Sequence, residues 1–239
     1  MRKISLLLIA FASIATLNAQ ATISTFTDRA DSFMKNYVND GRVSYVNVKK
    51  NLDEITSLYE AIGNMDLGNA DANTKKAFYL NAYNLIVIYQ VSKFYPLKSP
   101  LDQSGFFDQV RHKVAGENIT LNELEIKKII LGYKDPRIHF ALACAAVSCP
   151  KLASFAYRPN ILDQQLEGRT RLAINDPSFI RIQTSDGTVN ISEIFKWYSR
   201  DFTMNGSTVM GFINNYRKSR IPDSYEQGYY QYDWKLNEQ

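Results

Sequence analysis

Apolar positions recur at three- and four-residue spacing in several stretches of this chain. Phe26, Ala30, Phe33, Met34 and Tyr37 trace one helical stripe, and Leu52, Ile55, Tyr59 and Ile62 trace a second. Between residues 73 and 94 the stripe widens until the segment is apolar nearly all round. That pattern predicts a central helix with neighbours on every side, stopped by Pro96. Leu162, Leu166, Arg169 and Ala173 fit another helix, and Val209, Ile213 and Tyr216 one more.

Two hairpins interrupt the helical pattern. Arg111 to Ala115 and Asn118 to Thr120 are joined by Gly116-Glu117, and Phe179 to Ile182 faces Thr188 to Ile191 across Asp186-Gly187. Thr120-Leu121-Asn122-Glu123 has the spacing of a capping box and predicts a helix to about Leu131. Ser192 is placed to cap a short helix bearing Ile194, Trp197 and Tyr198. Arg137 to Cys144 has the length of a buried strand, although its periodicity fits a helix as well. Tyr230, Tyr232 and Trp234 alternate as in a closing strand; exposed, the same rings would suit stacking on sugars. Helices and hairpins mix without a βαβ rhythm. The expected fold class is therefore α+β: a helix-rich single domain with a small antiparallel or mixed sheet and a central apolar helix. The long helix is expected to pack beside Arg137–Cys144.

The first residues change the picture of where the chain works. Met1-Arg2-Lys3, an apolar run from Ile4 to Leu17 and small residues near Ala19 and Ala21 read as a secretory signal peptide over residues 1–19. The domain then spans residues 20–239. Export implies a soluble protein of the periplasm or beyond, in an oxidising compartment. The formal charge of +4 falls to about +2 once Arg2 and Lys3 are removed. That is too small to argue for nucleic acid or an anionic membrane, and no later apolar run suits a membrane span.

Candidate chemistry concentrates in His139 to Cys149. Those eleven residues hold both cysteines and one of the two histidines. Pro150 suits the first position of a helix over Lys151 to Tyr157. Cys149 would then lie at a helix amino end, where a thiolate is favoured. With His139 as base and Asn81, Asn84, Glu125 or Asp201 orienting the ring, the set matches a cysteine-dependent hydrolase or acyl transferase acting on a small or peptide-like carbonyl substrate. The competing reading joins Cys144 to Cys149 in a disulfide and makes the protein a non-catalytic ligand- or partner-binding domain of the cell envelope. Zinc lacks a fourth ligand at this spacing, and no cofactor is called for. Asn81 and Asn84 share a helix face. They serve either to tie that helix to the Cys144–Pro150 loop or to touch a substrate.

These segments resemble a known family. Asn81-Ala-Tyr-Asn84, Asp135-Pro-Arg-Ile-His139-Phe-Ala-Leu, Cys144-x4-Cys149-Pro150 and Ile194-Phe-Lys-Trp-Tyr198-x-x-Asp201-Phe202 are similar, in that order, to domain-of-unknown-function family number 547. The similarity runs from about residue 77 to 202. It implies membership and passes on no catalytic assignment. The matched positions Asn81, Tyr83, Asn84, His139, Cys144, Ser148, Cys149 and Pro150 are the places to look, with Glu125 added as a neighbouring acid.

Overall fold

The computed structural model describes residues 23–239, so the segment read as an export signal lies outside the described residues. The first helix, α1, covers 23–37. A two-residue ladder, β1 (Val38–Asn39) with β2 (Arg42–Val43), leads into α2 (Tyr45–Lys50) and α3 (Leu52–Asn64). The central helix is α4 (Ala72–Phe94), about 35 Å long at the usual rise per residue. Asp71 caps it, its carboxylate accepting from the Thr74 amide at 2.9 Å. Helix α4 is buried over most of its circumference, as its composition predicted.

A helix covered on all sides must satisfy its own polar side chains, and α4 does so by holding irregular chain. Lys76 pairs with Asp135 at 2.7 Å. Asn81 grips the backbone of Tyr157, Asn84 that of Ala141 and Ala143, and Gln90 donates to the carbonyl of Phe106. Four segments without regular ladders are thereby anchored to one rod.

The hairpin β3 (Arg111–Val114) with β4 (Glu117–Thr120) forms as expected. The capping box closes reciprocally, Thr120 Oγ1 accepting from the Glu123 amide and Glu123 Oε2 from the Thr120 amide, both at 3.1 Å. After α5 (Leu121–Glu123) the helix widens into a π-helical stretch, Leu124–Ile130, before a last turn α6 (Leu131–Tyr133). Helix α7 spans Leu162–Ile174. A three-stranded sheet follows, in which β5 (Ile180–Gln183) pairs antiparallel with β6 (Thr188–Ser192). On the other side β6 pairs parallel with β7 (Glu226–Tyr230). Between them lie α8 (Ile194–Trp197), α9 (Ser199–Phe202) and α10 (Val209–Tyr216). The architecture is a helix-rich α+β domain with small sheets of two or three strands, and among the described residues no helix is long and apolar enough to cross a membrane.

Three expectations are corrected. The closing strand ends at Tyr230, so Tyr232 and Trp234 lie in irregular chain beyond it. Arg137–Cys144 is not a strand: Pro136–Phe140 is a 3-10 turn, and the chain then runs irregularly to Pro150. Asp135 caps the turn, accepting from the Arg137 amide at 3.0 Å, and Pro136 supplies its fixed φ. The segment does pack beside α4, through Asn84. Lys151–Tyr157 is not a helix either. Its backbone groups are taken by side chains instead: Asp31 accepts from the Ala156 amide, Gln165 donates to the Ala156 carbonyl, and Asn81 holds Tyr157. Cys149 consequently has no helix amino end behind it.

The Asp135 node gives an acid-stability prediction. Burial opposes its ionisation, but hydrogen bonds from Arg137 and Lys76 outweigh burial and hold its carboxyl at about 2. A depressed carboxyl contributes stability that is present above its unfolded value, near 3.9, and is lost as pH falls through the folded one. In urea melts, Asp135→Asn is expected to be about 2 kcal/mol less stable than wild type near neutrality. The gap should narrow as pH drops from 4 toward 2. A constant gap over that window would assign the effect to packing rather than charge.

Candidate functional site

The loop that carries both cysteines is fixed from two directions. From α4, Asn84 Nδ2 donates to the Ala141 carbonyl (2.9 Å) and its Oδ1 accepts from the Ala143 amide (3.0 Å). From the carboxyl end, the amides of Val147 and Ser148 donate to the carbonyls of Lys235 and Asp233, and the Ser148 hydroxyl accepts from the Asp233 amide at 2.8 Å. Ala145 adopts φ +63°, a left-handed turn inside the loop. The turn brings Cys144 and Cys149 together, and they are joined in a disulfide. Among the described residues there is no free cysteine.

This geometry removes the nucleophile from the Cys149–His139 reading. A bonded sulfur has no proton to lose and no thiolate to offer. The Tyr232 hydroxyl, not an imidazole, is the side-chain polar group against the two sulfurs, at 3.2 Å from Cys149 Sγ and 3.3 Å from Cys144 Sγ. The Cys144 amide also points at Cys149 Sγ, at 3.0 Å. Asn81 orients no imidazole either, since both ends of its amide are spent on Tyr157, at 2.9 and 2.8 Å.

His139 is buried, and its Nε2 lies 2.8 Å from Asp201 Oδ2 on α9. A carboxylate only accepts, so Nε2 carries the proton. The ring lies against Tyr198 and Phe202, with centroids 4.2 and 5.2 Å away. Of the four orienters considered from sequence, Asp201 is the one in contact. The other histidine, His112, is locked between Gln90 Oε1 (2.7 Å) and the Tyr59 hydroxyl (3.1 Å). Burial pushes its imidazole down to about 4, which leaves it a neutral structural group.

His139, Cys144, Cys149, Tyr83 and Glu125 all line one cavity of about 490 Å³. Asn81, Asn84 and Ser148 are not in its lining; they hold its walls. Glu125, from the π-helical stretch, accepts a hydrogen bond from the Tyr198 hydroxyl at 2.6 Å. Burial, reinforced by the Glu125 charge, raises the phenols of Tyr83 and Tyr198, and burial raises that of Tyr232. All three therefore stay protonated and act as donors.

The sequence singles out Tyr232 and Trp234 as strand or stacking residues but does not place them, with Trp197, as an aromatic wall beside the cysteines. Trp197, Tyr232 and Trp234 pack on one another, with Tyr232 4.9 Å from each indole and the indoles 6.2 Å apart. Phe107 extends the wall beyond Trp234, at 6.4 Å. The usable signal was the alternation of Tyr232 and Trp234, which puts both on one side of extended chain. Glu125 and Asp108 are the carboxylates of the lining, and no lysine or arginine belongs to it.

Residues 67–172 match the family model described as "Protein of unknown function, DUF547", the family whose motifs the chain was seen to resemble. The match takes in α4, the β3–β4 hairpin, the disulfide loop and most of α7; Trp197, Tyr198, Asp201, Tyr232 and Trp234 fall outside it. No curated protein and no solved structure matches the chain.

Proposed function

We propose that this is an exported, non-catalytic binding domain whose disulfide-walled cavity takes a small organic cation. The carrying observation is the lining itself: an aromatic wall, two carboxylates and no lysine or arginine. Ring faces attract ammonium groups, and the attraction grows when both are out of water. Uncompensated carboxylates favour the same charge and disfavour anions. A volume of about 490 Å³ is in the range of small-molecule pockets. The Cys144–Cys149 bridge supports export, because such bonds persist in oxidising compartments. It also supports a binding role, because the sulfurs serve as wall and not as reagent.

The chain has two tryptophans, and both line this cavity, so tryptophan fluorescence, excited at the red edge where tyrosine barely absorbs, reports on it. Titration with benzyltrimethylammonium is expected to give a saturable change, and benzenesulfonate, of similar size and opposite charge, none. Glu125→Gln should weaken the ammonium about tenfold, the loss of about 1.4 kcal/mol of charge attraction. Equal responses to both ions, or no saturable response to the ammonium, would refute the reading.

A further inference from the structure

A second cavity, of about 330 Å³, lies on the other side of the disulfide loop, and Cys149 and Pro150 line both. It differs from the first in charge. Four cationic side chains, Arg42, Lys151, Arg169 and Arg181, meet three carboxylates there.

Three of the four cations are engaged. Lys151 pairs with Asp40 at 2.8 Å and Asp176 at 3.5 Å. Arg181 lies 3.6 Å over the Tyr230 ring and donates its Nε–H to the Ser178 carbonyl. Arg42 donates to the carbonyl of Glu238. The third carboxylate, Asp233, accepts from the Lys235 amide at 3.0 Å.

Arg169 is different. It sits on α7 in register with buried Leu166 and Ala173, and is itself half-buried. Its Nε is buried and, among the described residues, has no hydrogen-bond partner. A guanidinium keeps its charge and carries five donors in a fixed fork. Leaving such a donor buried and unanswered is costly, so retaining it at a cavity calls for an acceptor that enters from outside.

We propose that this cavity is an oxyanion site, in which Arg169 holds the carboxylate or phosphate group of a small ligand by a forked pair of hydrogen bonds. A guanidinium fork matches both groups in geometry. The excess of one positive charge favours a compact monoanion over a large polyanion. The site differs from the aromatic cavity, whose lining holds no lysine or arginine, and its test does not depend on the cation reading.

The oxidised full chain is melted in phosphate, in acetate and in chloride at matched ionic strength. A tenfold excess over Kd is expected to raise Tm by about 3–6 °C in at least one oxyanion arm relative to chloride. A shift with phosphate alone assigns a phosphate ligand, and one with acetate alone a carboxylate. Arg169→Gln is expected to abolish the shift. Arg169→Lys, which keeps the charge but not the fork and guards against a Gln variant that does not fold, is expected to cut it by at least half. Melting in both oxyanions identical to that in chloride, or an undiminished shift in either variant, overturns the proposal.

Discussion

Reduction of the Cys144–Cys149 bridge is expected to lower Tm by about 4–8 °C without unfolding the domain. Closing a loop with a five-residue separation removes a modest amount of unfolded-chain entropy, corresponding to about 2 kcal/mol, and each kcal/mol shifts a domain of this size by about 2–4 °C. The loop stays held without the bond, by Asn84 on one side and Asp233 and Lys235 on the other. The effect should therefore be a loss of stability rather than of fold. Thiol titration of unreduced protein in denaturant is expected to give no thiols per chain, and two after reduction. Iodoacetamide at neutral pH should leave unreduced wild type unlabelled. Two thiols in unreduced protein would restore the nucleophile reading of Cys149, because the Cys144 amide and the Tyr232 hydroxyl would then be donors placed to stabilise a thiolate.

The sequence signals that held are those in which local chemistry has one outcome. The capping box at Thr120–Glu123, the Asp186-Gly187 turn and the all-round apolar character of residues 73–94 each fix a conformation through neighbours a few residues away. Arg137–Cys144 failed for the opposite reason. A short apolar run is compatible with strand or turn, and what chose the turn was the Asp135 cap locally and the amide of Asn84, 57 residues from Ala141. Lys151–Tyr157 failed in the same way. Pro150 permits a helix start, but Asn81 and Asp31 bid for the same backbone groups and won. At the site, His139 and the two cysteines were found because they are rare residue types close in sequence. The aromatic wall was not, because Tyr232 reaches the sulfurs across 83 and 88 positions of chain and tyrosines are frequent here. Whether two cysteines five apart bridge or stay free depends on the turn between them, and a left-handed alanine such as Ala145 leaves no mark in composition.

Asn84→Ala is expected to cost about 2–5 kcal/mol of stability. Asn84 is 4% exposed, and its amide completes two backbone groups that have no strand neighbour, the Ala141 carbonyl and the Ala143 amide. Removing it leaves the buried Ala143 amide unpaired, at about 1–3 kcal/mol, reduces the Ala141 carbonyl to the 3.4 Å bond from the Tyr157 hydroxyl, and opens a void that adds to the cost. Asn84→Asp isolates the directional part of the effect. Its carboxylate still accepts from the Ala143 amide but offers no donor to the Ala141 carbonyl, and it adds a buried charge, so it is expected to be at least as damaging as alanine. Urea unfolding of both variants measures the cost directly. The same variants separate wall from ligand contact: Asn84 lies outside the lining of the cavity. A folded Asn84→Ala protein should therefore lose stability first and lose ammonium-dependent tryptophan response only as far as the 141–149 loop moves. A change below about 1 kcal/mol in both variants would mean that water or other groups satisfy Ala141 and Ala143, and that the loop carrying the disulfide does not depend on the central helix for its place.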